Sequence, residues 1–515
     1  MPGASRPAPA PVPAPAPVPA PAPVPAPAPV PAPASHSAPR PARTPRPARA
    51  TRTARAAVLL VAFATLATAT ACTGAASGVG GTPGAAGLRD PYFPKLGNGG
   101  YDVTHYDLAL DVDPATGRLD ATATITARAT QDLSSFNLDL KGLDVTSATV
   151  EGRPAAVNRA GSELTLRPDR AVEDRLREGG TFRTVVAYSG VPEVLTDSDD
   201  SQEGWLKTAD GVVALGEPTG SMTWFPVNNH PGDKATYDIR ITVPKGVTAV
   251  SNGELVSSTT TGGRTTCHWR TAEPMASFLA TVAVGRFTTK TSTTAGGIPV
   301  YTAADTTVAA GSEAVLARLP DVIEWGVENF GPYPFATTGA IVEREEDAGY
   351  DLETQNRPVF TGPPSIGLLV HELAHQWFGD SVTPASWRDL WLSEGFAIYA
   401  GWLWSEDYED TSAQQSFEDA FEKDDNWAFA PAAPPKSADL FESPVYERGA
   451  MVIHKIRQAV GDDRFHEIVQ GWTKAHRHGN ASTKDFTAFV EKESGKDLSD
   501  LWDTWLYGED RPDTM

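Results

Sequence analysis

Along the first half of the folded sequence, apolar and polar residues alternate. In YDLALDVDP, Tyr106, Leu108, Leu110 and Val112 share one face. ATATITARAT and YDIRITVPKG repeat the pattern, and PATG, PKG and SNGE mark turns between the runs. Such alternation predicts half-buried strands, so residues 100–303 are expected to form an all-β domain. From about Ser312 the period lengthens. SEAVLARLPDVIEWGVENFG places its apolar residues at helical spacing. After a short strand, GAIVERE, helices are expected around HELAHQWFGD, LWLSEGFAIYAGWLW and GAMVIHKIRQAV. The last hundred or so residues also read as helical. The expected fold class is therefore multidomain, a β domain followed by an α+β, mainly helical domain over residues 304–515.

The N-terminus has a different pattern. Residues 7–34 repeat Pro, Ala and Val, a low-complexity composition that favours polyproline II and builds no core. The repeat is either a genuine extension or upstream sequence read as protein. An Arg-rich segment then leads into AAVLLVAFATLATATAC. Basic, apolar and small residues in that order make a secretory signal, and the apolar run is short for a membrane span. Cys72 directly follows Ala69-Thr70-Ala71, which resembles a bacterial lipoprotein cleavage site, although Ala69 stands where Leu is usual. The alternative is a plain secretory signal. Residues 1–71 are thus expected to be leader and signal, and the Gly-rich residues 72–99 a flexible linker. The working domains are expected outside the cytoplasm, either secreted or lipid-anchored through Cys72.

Composition sharpens this picture. Across 515 residues, 40% hydrophobic content and 13 Trp support a sizeable packed core. Net charge is -22, yet residues 1–71 hold seven Arg and no acids, so the remainder carries -29. A chain this acidic is not expected to bind nucleic acid. Membrane contact is expected only through the lipid anchor. The two cysteines, Cys72 and Cys267, are expected not to pair.

The chemistry is concentrated in HELAHQWFGD. On a helix, His371 and His375 lie four apart on one face, so both imidazoles can reach one ion at about 2.0–2.1 Å. Glu372 falls about 100° around the helix, beside the ion, where a general base takes a proton from water. Zinc lowers the pKa of such a water to about 7. A catalytic zinc usually has three protein ligands. Glu394, in the apolar run WLSEGFA, is the expected third, because an unpaired carboxylate there costs several kcal/mol. A capping or salt-bridge role is the alternative.

HELAHQWFGD followed by VTPASWRDLWLSEGFAIY resembles the zinc region of the aminopeptidase N family, the M1 gluzincins. That family places 18 residues between the second His and the ligand Glu, as Gln376 to Ser393 do here. Asp380 stands where many members have Asn. The resemblance covers roughly Tyr101 to the end. It implies a saddle-like β domain, a thermolysin-like catalytic domain, and one Zn2+ per chain held by His371, His375 and Glu394, with Glu372 as base. Two carboxylates would hold the substrate's α-ammonium. Glu353, in AGYDLETQNRPVF, takes the glutamate position of the family's Gly-x-Met-Glu-Asn motif. Leu352 stands for Met, Thr354 for Asn, and Asp351 where a small residue is usual; Gly349 is displaced by one. Glu217, in GEPTGSMTWFPVNNHPGDKATYDI, would supply the second carboxylate. Tyr446, in SPVYERGAMVIHKI, with Arg448 for the family's Lys, would stabilise the oxyanion.

The implied activity is a zinc aminopeptidase acting on peptides with a free N-terminus. A zinc endopeptidase with an open cleft, or an inactive surface binding protein, are the alternatives. Only 121 residues follow Glu394, so a short form without the family's large C-terminal helical domain, and hence a more open cleft, is expected. His476, His478 and His230 read as a helix end and a turn. The acidic run at 196–204 reads as a solvated loop rather than a calcium site.

Overall fold

The alternating runs pair into an eight-stranded sheet. Across it lie Glu254–Thr261, Arg264–Ala276, Lys234–Pro244, Tyr101–Asp113, Arg118–Ala129, Thr181–Gly190, Asp144–Val150 and Arg153–Pro154. Neighbours are antiparallel except Lys234–Pro244 beside Tyr101–Asp113, which run parallel. Tyr106, Leu108, Leu110 and Val112 are all buried, as their alternation predicts. A one-residue slip would turn all four to solvent, so burial fixes the register. The structure is a computed structural model that describes residues 80–196 and 201–515. The expected leader and signal, Cys72 with its expected anchor, and positions 197–200 of the acidic run lie outside the described residues.

Two smaller sheets share the same apolar core. A five-stranded one runs Val194–Thr196, Gln202–Lys207, Val212–Leu215, Val282–Gly285 and Thr248–Ser251. Its central strands, VVAL and VAVG, are buried at every position, which is why they read as continuous apolar runs rather than alternating ones. Glu217 follows two residues after the strand Val212–Leu215 and is buried.

Residues 80–99 are not the flexible linker that their composition predicts. Thr82–Pro83 pairs with Leu133–Asp139. The buried Asp90 carboxylate accepts hydrogen bonds from the backbone N–H of Tyr92, Phe93 and Trp387 and from Ser386 Oγ, and Tyr92 Oη donates to Pro434 O. Gly87, Gly97 and Gly100 have φ of 89°, 68° and 93°. These glycines fold the segment back on itself rather than loosening it.

The domain boundary also moves. Phe287–Thr293 and Pro299–Asp305, expected in the β domain, pair with Thr338–Glu343 and Val359–Thr361 in one four-stranded sheet. That places the boundary near Arg286 rather than at 303/304. Period-two alternation reports that a segment is a strand and not which sheet it joins.

Helices follow as α1 (Ala309–Leu316), α2 (Leu319–Phe330), α3 (Ile366–Ala374), α4 (Trp391–Tyr408), α5 (Ala413–Phe421), α6 (Gly449–Val460), α7 (Asp462–Ala475) and α8 (Thr483–Ser494). Ser365 caps α3 by accepting from Leu368 N–H. α4 is apolar around most of its circumference because it packs between α3 and α6.

Candidate metal centre and substrate cleft

α3 delivers His371 and His375 one turn apart, and their Nε2 atoms lie 3.1 Å from each other. The first turn of α4 delivers Glu394, whose Oε2 is 3.6 Å from His371 Nε2 and 3.5 Å from His375 Nε2. An ion at 2.0–2.1 Å from three tetrahedral ligands sets ligand–ligand edges of about 3.4 Å. The three atoms therefore fit a zinc-sized ion without rearrangement.

The surroundings prepare the ligands. His375 Nδ1 lies 3.0 Å from both Phe378 O and Ser393 Oγ. A carbonyl only accepts, so Nδ1 carries the proton and Nε2 presents its lone pair to the ion. Burial opposes ionisation of Glu394, but the two imidazoles outweigh it and bring the carboxyl down to about 2. Burial lowers His371. For His375, burial is outweighed by Glu394 and Glu353, which raise it. Gly379 has φ 118°, and a Cβ there would meet Ser393 Oγ at 2.3 Å. The turn after α3 therefore needs glycine to let Ser393 reach His375.

The other predicted residues line the same cleft, of about 630 Å³. Carboxylate oxygens of Glu217, Glu353 and Glu394 lie within 4.8 Å of one another, as do ligand atoms of Glu353, Glu372 and His375. Glu217 Oε1, Glu353 Oε1 and Glu372 Oε2 are buried without a hydrogen-bond partner. Buried acceptors are normally satisfied, so these three mark where cationic or proton-bearing groups belong. Burial, reinforced by Glu353 and Glu394, pushes Glu217 far above the carboxylate range. Burial takes Glu353 up to about 7 and raises Glu372 well above the usual carboxylate range.

Tyr446 lines the same cleft from a widened turn at Pro444–Arg448 just before α6. Its height is set by two glycines. A Cβ on Gly395 would come within 2.7 Å of Gly449 backbone, so α4 and α6 touch backbone to backbone beside Glu394. Arg448, fully buried, donates to the carbonyls of Phe429, Thr504, Trp505 and Gly508, which ties the Tyr446 turn to the C-terminal segment.

Known proteins resemble this chain. The Peptidase M1 N-terminal domain matches residues 103–279, and the Peptidase family M1 domain matches residues 339–505. The crystal structure of an M1 zinc metallopeptidase from Deinococcus radiodurans is 29% identical with a TM-score of 0.78, over 83% of this chain and 98% of that one. A mutant of the same protein aligns at 30% identity and TM-score 0.76, over 83% and 99%. The chain belongs to peptidase family M1. Glutamyl aminopeptidase of Rattus norvegicus is 25% identical over 78% of this chain and 46% of its own length. Aminopeptidase M1 of Arabidopsis thaliana is 23% identical over 81% and 51%. This M1 chain thus spans about half the length of the curated relatives it matches.

Several residues that shape this M1 site carry no signal in the sequence. Glu203, 1% exposed, accepts from Thr219 N–H, Thr219 Oγ1 and Gly220 N–H and so fixes the loop bearing Glu217. Tyr350 Oη donates to Glu217 O, tying that loop to the segment bearing Glu353. Gln376 accepts from Asn356 N–H and donates to Glu353 O, joining the Glu353 segment to the helix of the histidines. Asp380 is fully buried, and burial pushes its carboxyl well up.

Proposed function

We propose that the chain is a zinc aminopeptidase that removes N-terminal residues from peptides. The observation that carries this reading is the convergence of Glu217 and Glu353 beside Glu394, each with a buried carboxylate oxygen that lacks a partner. Charge-assisted hydrogen bonds to an α-ammonium satisfy both. The relatives support it: one is named glutamyl aminopeptidase, and a D. radiodurans mutant was solved with a Tyr-Ser-Ala substrate.

His371, His375 and Glu394 hold the zinc. When bound, zinc supplies Lewis acidity, lowering the pKa of a water to about 7 and polarising a carbonyl. Glu217 and Glu353 hold the ammonium, which would bring the first peptide bond, and no later one, beside the metal ligands. Glu372 takes the proton of the attacking water and passes it to the leaving amine. Tyr446 donates its hydroxyl to the tetrahedral oxyanion. Burial and the nearby carboxylates raise the phenol well above its usual range, so it remains a neutral donor.

The enzyme works outside the cytoplasm, secreted or anchored through a lipid on Cys72. The basic, apolar and small-residue order before Cys72 supports this. Among the described residues no helix is long and apolar enough to cross a membrane.

The test uses matched peptides with free and acetylated N-termini, with products identified by mass. Stepwise loss of single residues from free peptides only is expected. Internal cuts in both sets would make the protein an endopeptidase instead.

A further inference from the structure

The carboxylates of the cleft are not all engaged by the chemistry above. Glu217, Glu353, Glu372 and Glu394 have roles, and Glu447 lies 3.7 Å from Lys423. Asp351 remains. It lines the cleft. Its Oδ1 accepts from Thr361 N–H at 2.7 Å and Thr361 Oγ1 at 3.1 Å. Those bonds fix the carboxylate while Oδ2 keeps its acceptor capacity. Among the described residues no Lys or Arg lies within ion-pair distance of Asp351, and none lines the cleft.

We propose that Asp351 is a specificity-determining residue that selects peptides beginning with Lys or Arg. The proposal rests on the aminopeptidase reading. Asp351 and Glu353 flank Leu352, which bridges Val359 in antiparallel fashion, and both line the same cleft. Two positions apart in the chain, their Cα atoms are separated by at most about 7 Å. Glu353 holds the α-ammonium, so the first residue's α-carbon sits beside it. The side chain leaves that same carbon. A lysine or arginine, with its charge at the end of a long stem, spans the gap to Asp351. A short or apolar side chain leaves Asp351 in water and gains nothing from it. Asp351 is partly exposed, so solvent screens the pair and the gain is modest, roughly 5- to 10-fold in kcat/KM.

Arginine and citrulline share shape and length and differ in charge, so they isolate this effect. Zinc-loaded full chain is given two otherwise identical peptides, one starting with Arg and one with citrulline, at low ionic strength. The Arg peptide is expected to be cut roughly 5- to 10-fold more efficiently. Asp351→Asn keeps an oxygen to accept from Thr361, so the fold of the segment is retained. It is expected to bring the Arg rate down to the citrulline rate while the citrulline rate holds. Equal rates in the unmodified protein, or a ratio that survives Asp351→Asn, would overturn the proposal. So would a parallel fall in both rates, which is what a purely structural Asp351 produces. If neither peptide is cut, the aminopeptidase reading falls and takes this one with it; if both are cut at equal rates, only this one falls.

Discussion

Replacing Glu353 with Gln tests the ammonium site without emptying it. The side chain keeps its size and loses its charge, and Gln376 still holds the residue's backbone carbonyl. A carboxylate about 4 Å from an ammonium contributes roughly 4 kcal/mol at an effective dielectric of 20. Glu217 remains opposite and recovers part of this, and the new amide offers one neutral acceptor. A net loss of about 2–4 kcal/mol follows, or roughly 30- to 700-fold in kcat/KM. The loss is specific to substrates that carry the charge. Kinetics are therefore measured on a free peptide and on its des-amino analogue, which lacks only the α-amino group. The unmodified protein is expected to favour the free peptide strongly, and Glu353→Gln to narrow the gap mainly by slowing that peptide. An equal loss on both peptides would mean that Glu353 supports the fold or the metal rather than the amine. No loss on either would remove it from the site.

Other outcomes follow from the same geometry. Tyr446→Phe deletes one oxyanion donor and is expected to cost about 10²- to 10³-fold in kcat with little change in KM. Ser393→Ala removes one of two acceptors at His375 Nδ1 and is expected to weaken zinc binding roughly 10-fold in chelator competition. In the metal-free chain, Glu353 binds a proton more tightly folded, at about 7, than unfolded, at about 4.5. Its contribution to stability is therefore present at low pH and lost as pH rises between those values. Melting curves of the apo protein are expected to shift down over that window, and Glu353→Gln to flatten the part due to this group.

The parts of the site that are legible in the sequence depend on short-range geometry. His371, Glu372 and His375 lie within two turns of one helix, so spacing alone fixes their relation. Glu394 lies on the next helix, and a charge in a buried apolar run stays there only with a metal or an opposite charge beside it. Glu217 and Glu353 come from different domains, and only the resemblance to a family brings them together. Glu203, Tyr350 and Ser393 are not legible, because each acts through a contact that exists only after the chain has folded. The same limit applies to residues 80–99. Glycines in that number suggest flexibility, but their meaning depends on the Asp90 hydrogen bonds to Ser386 and Trp387, almost 300 positions away. The alternation at 287–305 identifies strands, but their partners lie beyond the helices that follow.

The central claim is that His371, His375 and Glu394 hold one zinc and that Glu372 does chemistry beside it without holding it. Zinc content and peptide turnover, measured together on the unmodified chain, Glu372→Gln and Glu394→Gln, test it most directly. One zinc per chain is expected in the unmodified protein and in Glu372→Gln, with turnover abolished in the second, and zinc is expected to be lost from Glu394→Gln. Turnover retained by Glu372→Gln, or zinc retained at full affinity by Glu394→Gln, would contradict the account.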